Sequence, residues 1–186
     1  MKDVPTIPPG DEEWILLLKL LQQQCCKPPI KVPLSSGQLS DYYINCKPVI
    51  LTSKGHRLVS VVVMGMQSMF TSFDMVAGVV LGGAAMASAV AATTSLDAVY
   101  IREAPKDHGM GSDIEGPGVW NRRVLILEDV VTTGQSVMKA VQTLRRFDAK
   151  IVGVLALVDR LQGGTQLLEA EGIRFRSVFT RHDFMQ

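Results

Sequence analysis

The chain has 186 residues, 47% hydrophobic and 20% charged, with a formal net charge of +1. That length holds one well-buried domain and falls short of two typical ones, and the apolar fraction excludes a disordered chain. The near-neutral balance speaks against a dedicated nucleic-acid binder, and the three cysteines, Cys25, Cys26 and Cys46, lack metal-ligand spacing and fit neither a disulfide scaffold nor a zinc site.

Residues 1–10 read as a loose arm, and Met1-Lys2-Asp3 followed by prolines and acids is no signal peptide, so a reducing cytoplasm is the expected compartment. From Asp11, the residues Trp14, Ile15, Leu17, Leu18, Leu20 and Leu21 recur as on an amphipathic helix with acids in its first turn, ended by Pro28-Pro29. Cys25 and Cys26 near its end read as packing residues, since Lys27 is the one neighbour able to lower a thiol pKa. In the stretch Leu34 to Lys47 a Ser/Gly turn precedes the paired aromatics Tyr42 and Tyr43, which predicts a hairpin with its aromatics packed. Between Lys54 and Phe70 the residues Leu58, Val59, Val62, Val63, Met66 and Met69 keep helical spacing. Asp74 to Ala85 reads as a strand and then a glycine-rich turn, where Gly82 and Gly83 let the backbone approach a ligand and the next helix start suits an anion. The apolar window Met75 to Ala92 has nearly the length of a membrane span, but its glycines and alanines read as strand, turn and helix, so no membrane segment is expected.

Ala98 to Ile101 is a further short strand, leading into the long polar segment 102–117 with Arg102, Lys106 and His108. Long irregular loops in compact domains are commonly lids. Val124 to Leu127 then reads as a buried strand, with Glu128 and Asp129 at its end and Thr132, Thr133, Gly134, Gln135 and Ser136 leading into a helix marked by Val137, Val141 and Leu144. Such a loop offers backbone N–H groups, hydroxyls and a helix dipole to one phosphate. Two carboxylates beside a phosphate repel it unless they hold hydroxyls or a hydrated divalent cation, so a sugar carrying both hydroxyls and phosphates satisfies the whole stretch. An ordinary strand end with an N-capped helix is the alternative. Ile151 to Val158 forms another buried strand, finishing at Asp159-Arg160-Leu161-Gln162-Gly163-Gly164, where Arg160 can match a planar ligand's oxygens or pair with a nearby acid. Residues 166–171 read as helix, and Phe175, Val178 and Phe179 as a last strand.

The stretch Val124 to Ser136 resembles the phosphoribosyl pyrophosphate (PRPP) signature of type I phosphoribosyltransferases. Within that family the loop from Arg102 is similar to the orotate enzymes' Arg-Lys-x-x-Lys-x-His-Gly-x-Gly-x-x-Ile-Glu-Gly, matched at Arg102, Lys106, His108, Gly109, Gly111, Ile114, Glu115 and Gly116. The Ser-Gly turn with Tyr42 and Tyr43, and the run Asp159-Arg160 to Gly164, resemble two further segments of the same enzymes. Two positions depart: Glu103 stands where the loop carries a second cation, and Ser35 where some members have a lysine. An anion pointing inward at ~4 Å from pyrophosphate costs from about one to a few kcal/mol, depending on the local dielectric.

The resemblance implies transfer of the phosphoribosyl group from PRPP to orotate, releasing pyrophosphate. Glu128 and Asp129 would hold the ribose hydroxyls; Thr132, Thr133, Gly134, Gln135 and Ser136 would cradle the 5′-phosphate; Arg102, Lys106 and His108 would close on pyrophosphate; and Arg160, Thr132, Tyr42 and Tyr43 would bind orotate. Lys106, His108, Arg102 and Asp129 are the catalytic candidates. Mg²⁺ is implied as cofactor, bound mainly through PRPP and water without a direct protein ligand, and a homodimer in which the lid reaches the neighbouring subunit. Alternation of strands with helices predicts an α/β fold, a parallel sheet flanked by helices. The expected organisation is a single domain, 1–186, with residues 54–164 as core and 1–50 with 165–186 as a hood. A PRPP-sensing paralogue with little catalysis, or an enzyme for a different base, are the competing readings.

Overall fold

The computed structural model describes residues 12–27, 32–33, 39–40, 43–102 and 113–184. Helix α1 (Glu12–Cys25) starts with Glu12 and Glu13 at the positive end of its dipole and buries Trp14, Leu17, Leu21 and Cys25, a single face at spacings of three and four. It runs directly into β1 (Cys26–Lys27), which pairs antiparallel with β4 (Tyr43–Ile44). Between them β2 (Val32–Pro33) and β3 (Leu39–Ser40) form a separate antiparallel ladder. The Ser/Gly turn of the expected hairpin lies outside the described residues; β2 and β3 on either side of it pair antiparallel, and Tyr43 is on β4, the strand that pairs with β1 at the end of α1.

After the short α2 (Lys47–Ile50), α3 (Ser53–Gly65) begins at Thr52, whose Oγ1 accepts the Gly55 N–H at 3.0 Å. Its regular part stops at Gly65, a weak helix former, and a 3₁₀ turn (Gln67–Met69) finishes the segment expected to be helical to Phe70. The core follows as β5 (Met75–Val79), α4 (Gly82–Thr93), β6 (Asp97–Ile101), β7 (Ile114–Glu115), β8 (Arg123–Val131), α5 (Gln135–Arg146), β9 (Lys150–Asp159), α6 (Gly164–Ala170) and β10 (Phe175–Thr180). Among the described residues, no helix is long and apolar enough to cross a membrane.

Six strands form one sheet in the order β10-β9-β8-β5-β6-β7, parallel throughout except for β7, which runs antiparallel to β6. Alternate residues of β8 feed two cores. Leu125 and Leu127 join the cluster with α1, α2, α3 and α4, whereas Val124 and Ile126 join the one with α5 and α6. Helix α4 is built of small apolar residues, with Ala84, Ala85, Met86, Ala87, Ala89 and Val90 buried, because it lies between the sheet and α3 and is exposed only in its last turn, at Ala92 and Thr93.

Segment 165–186 supplies the edge strand β10 and, beyond it, a 3₁₀ turn (Arg181–Phe184) that meets α1. Gln22 Nε2 donates to the Asp183 carbonyl at 2.7 Å, and the Trp14 and Phe179 rings meet edge to face at 5.6 Å.

At the amino ends of the strands the charges are mutually matched. Arg122 donates to Asp74 Oδ1 (3.1 Å) and Asp97 Oδ2 (3.0 Å), while Arg123 donates to Asp74 Oδ2 (3.2 Å) and Ser72 Oγ (2.5 Å). Burial alone would raise the Asp74 carboxyl, but hydrogen bonds from Arg122 and Arg123 outweigh it and hold the group below its ordinary 3.8.

Candidate active site

The strand order reverses direction at one place. From β5 the chain goes to β6 on one side, and it later returns to lay β8 on the other. In open α/β sheets the crevice at such a switch point, outside the carboxyl ends of the strands, is where ligands bind. β8 pairs with β5 only as far as Gly78↔Leu127, because β5 ends at Val79 and the chain turns into α4. On its other side β8 continues pairing with β9 through Val131↔Asp159. One edge of residues 128–131 thus faces the crevice while the other remains held.

That continuation corrects the sequence reading. Glu128 and Asp129 do not follow the strand; they are part of it, since β9 is long enough to keep pairing past Leu127. Both are buried, and Glu128 Oε1 accepts the Asp129 N–H at 3.1 Å. Buried adjacent carboxylates are costly unless matched by cations or hydrogen bonds. Lys47 at the start of α2 supplies one match, with its Nζ 3.6 Å from Asp129 Oδ2.

The glycine pair departs from its expected place in the same way. Gly82 and Gly83 open α4 instead of forming a turn before it. A Cβ on Gly82 would stand 2.1 Å from Asp129 Cγ, so this glycine is the wall against which the carboxylate rests. Gly83 approaches the Leu127 carbonyl as closely, with its notional Cβ 2.3 Å from that oxygen.

The loop after β8 is formed as anticipated. Gly134 takes φ +81°, a left-handed conformation that glycine adopts without strain, and caps α5. Thr132, Thr133 and Ser136 are half-buried around it, Gln135 is exposed, and the Thr132 carbonyl accepts the Gly164 N–H at 3.1 Å, which closes the loop against the start of α6. Arg160, at the carboxyl end of β9, is 3% exposed and donates its backbone N–H to the Val131 carbonyl at 2.9 Å. The preceding Asp159 is engaged by its own turn, accepting from the Leu161 N–H and the Thr165 hydroxyl, each at 2.8 Å.

Arg102 leaves the end of β6 and is held in the stem of the long loop. Its N–H donates to the Asp113 carbonyl at 3.0 Å, and its guanidinium reaches Glu115 Oε1 at 2.9 Å. With both side chains about two-fifths exposed, at 40% and 42%, the pair is solvent-screened and weakly held. The return stem is anchored separately by Arg146 on α5, 2.7 Å from Asp113. Lys106, His108, Glu103, Ser35 and Tyr42 lie outside the described residues, and Tyr43 is placed by its backbone on β4.

Lys47 is the site residue that sequence reasoning passed over. A signal existed: a single cation in the otherwise apolar run Cys46 to Ile50, at a helix start where the dipole disfavours positive charge. Cys25 reports how close the N-terminal segment comes to the acids. A hydrogen bond with Cys46 holds its thiol below the ordinary value, burial opposes this, and the charge of Asp129 also acts to raise it. Among the described residues no group of three or more His, Cys, Asp or Glu is assembled that could hold a metal ion.

Comparison with known proteins agrees with this geometry. The family of the phosphoribosyl transferase domain matches residues 63–169. The chain is 41% identical to the orotate phosphoribosyltransferase of Sorangium cellulosum (strain So ce56), over 95% of each chain. Among solved structures, the Mycobacterium tuberculosis H37Rv orotate phosphoribosyltransferase in complex with Fe(III) dicitrate superposes with a TM-score of 0.80 at 32% identity, covering 92% of this chain and 98% of that one. The same mycobacterial enzyme in complex with PRPP gives a TM-score of 0.78 at 29% identity, covering 94% and 99%.

Proposed function

The chain belongs to the phosphoribosyltransferase family and, within it, to the orotate phosphoribosyltransferases, and on that premise we propose that it transfers the 5-phosphoribosyl group of PRPP to orotate, giving orotidine 5′-phosphate and pyrophosphate in pyrimidine synthesis. The observation that carries this reading is the arrangement at the end of β8: two buried carboxylates in a switch-point crevice, continuous with a hydroxyl and glycine loop at the start of α5.

The roles follow from what each group offers. Carboxylates accept hydrogen bonds from sugar hydroxyls, so Glu128 and Asp129 orient the ribose ring at the mouth of the crevice. The backbone N–H groups and hydroxyls of residues 132–136 fix the 5′-phosphate. With the ring held at both ends, attack on its anomeric carbon needs little acid–base help, and most of the acceleration comes from orientation. Negative charge grows on the departing pyrophosphate, where cations from the lid, Arg102, Lys106 and His108, stabilise it. For Arg102 this requires exchanging Glu115 for the diphosphate, a change favoured by the weakness of an exposed pair. Arg160 and Thr132, with Tyr42 and Tyr43, frame the orotate ring. When bound, Mg²⁺ neutralises the diphosphate. The donor set fits an ion that arrives on PRPP and keeps much of its water, with Glu128 and Asp129 as the nearby oxygens.

The chain 1–186 acts as one domain, with the segment 1–50 beside the core and β10 of the segment 165–186 completing the sheet, as a cytoplasmic homodimer whose lid serves the neighbouring subunit's site. The test is the loss of orotate absorbance on mixing the protein with orotate, PRPP and Mg²⁺, beside a Glu103→Lys variant. Turnover by the natural sequence is expected. Activity appearing only in the variant would instead favour a PRPP-sensing protein that has drifted from catalysis, and silence from both with PRPP still bound would point to another base.

A further inference from the structure

Lys47 ends the stretch whose tyrosines are ascribed to orotate and is itself given no contact there, yet it makes a direct ion pair with Asp129. Its backbone is fixed on every side. Cys46, Val49 and Ile50 around it are buried, its N–H donates to Asn45 Oδ1 at 3.2 Å, and Asn45 N–H donates to the Cys25 carbonyl at 3.1 Å. The Lys47 side chain is 38% exposed, against 10% for that of Asp129. The Asp129 carboxylate is therefore held from two directions, with the backbone of Gly82 behind it and the Lys47 ammonium 3.6 Å from Oδ2.

We propose that Lys47 is a positioning residue for PRPP binding, acting through Asp129. It fixes the orientation in which Asp129 meets the ribose hydroxyls, and it offsets one of the two negative charges that the phosphates of PRPP must approach. Long-range repulsion between the crevice and a polyanionic ligand is thereby reduced without removing the acceptor that the hydroxyls need. This rests on the assignment of PRPP as ligand. Because the cation comes from the N-terminal segment and the carboxylate from the sheet, the ion pair also makes the register of that segment on the core part of the binding geometry.

The test is PRPP affinity by titration calorimetry together with steady-state kinetics, for the unaltered full-length protein and for Lys47→Gln, Lys47→Arg, Asp129→Asn and the Lys47→Gln/Asp129→Asn double variant. Lys47→Gln is expected to weaken PRPP binding about tenfold, the factor that corresponds to a loss of 1.4 kcal/mol, and to raise the KM for PRPP alongside. Its kcat should stay within about threefold, since an effect on ground state and transition state alike appears in KM. Lys47→Arg should restore most of the affinity. In the Asp129→Asn background Lys47→Gln should add little, because coupled residues are not additive. An unchanged PRPP affinity in Lys47→Gln overturns the proposal, as does the same tenfold loss with Asp129 already neutral, which would mean that Lys47 contacts the ligand directly. A purely structural role would lower the melting temperature without the KM shift and without rescue by arginine, and this too would overturn it. Failure of the unaltered protein to bind PRPP at all is a different result, and brings down the functional reading with it.

Discussion

The two ends of the sheet use the same residue types to opposite effect. At the amino end Asp74 and Asp97 meet Arg122 and Arg123 in a set of pairs that satisfy one another. At the carboxyl end Glu128 and Asp129 are adjacent and more deeply buried, and the Lys47 ammonium stands 3.6 Å from Asp129. Charge at one end holds strands together; at the other its proposed part is to meet a ligand, with the backbone of Gly82 pressed against Asp129. Adjacent buried carboxylates are a costly arrangement for a scaffold, and strongly placed acids of this kind in a cleft are a mark of ligand sites.

Substitutions at the two ends should therefore separate activity from stability. The largest effect is expected from Asp129→Asn, which should reduce kcat/KM by about 10²-fold or more, in the range for loss of a group aimed at the reacting part of a substrate. Its melting temperature should hold or rise, because a buried charge is removed. A large fall in stability with activity intact would invert the comparison. Gly82→Ala comes next. The added methyl must displace the Asp129 carboxylate, and a misplacement of roughly 1 Å costs on the order of 10²-fold in rate at most, so a loss of about ten- to a hundredfold is expected in a folded protein.

Asp74→Asn should do the reverse: a loss of about 1 kcal/mol after solvent screening of a partly exposed group, near 2–4 °C in melting temperature, with kinetic constants unchanged. The pH dependence sharpens this. A carboxyl held below its ordinary 3.8 contributes stability that is present above that value and lost as pH falls through the depressed one. Melting curves of the natural protein and of Asp74→Asn should differ at neutral pH and converge on the acid side of 3.8. The smallest effect is expected from Glu115→Gln, which frees Arg102 from an exposed pair worth about 0.2–1 kcal/mol and should lower the KM for PRPP by no more than about fivefold. An increase would mean that Glu115 presents Arg102 rather than restraining it.

Much of this was legible in the residues because local pattern and tertiary context agree. Val124 to Leu127 is apolar, half of it β-branched, and it lies buried inside the sheet. Leu58, Val59, Val62 and Val63 keep helical spacing and are buried. The fold class, a mostly parallel sheet flanked by helices, follows from that alternation and is what the chain adopts. The differences arise where a partner strand or helix decides. Glu128 and Asp129 are poor strand residues by propensity, and pairing with β9 overrides it. Gly82 and Gly83 look like a turn because glycine usually marks one, whereas here they admit a close approach between α4 and β8 that no local pattern encodes. Lys47 stood out locally as a lone cation in an apolar run, but its partner lies on a distant strand and no local pattern names it.

The switch point also bears on when the protein can first recognise a ligand. Its two walls, β5 and β8, are neighbours in space, but α4, β6, the long loop and β7 intervene along the chain. Bringing them together requires closure of a long loop before any contact rewards it, the slow step in folds built on parallel pairing. During synthesis the amino-terminal wall waits, exposed at its β8 edge, until the later strands have left the ribosome. PRPP can then act only as a latch on the finished sheet, and its ability to slow unfolding or proteolysis should appear in full-length chains and be missing from any nascent chain that ends before β9.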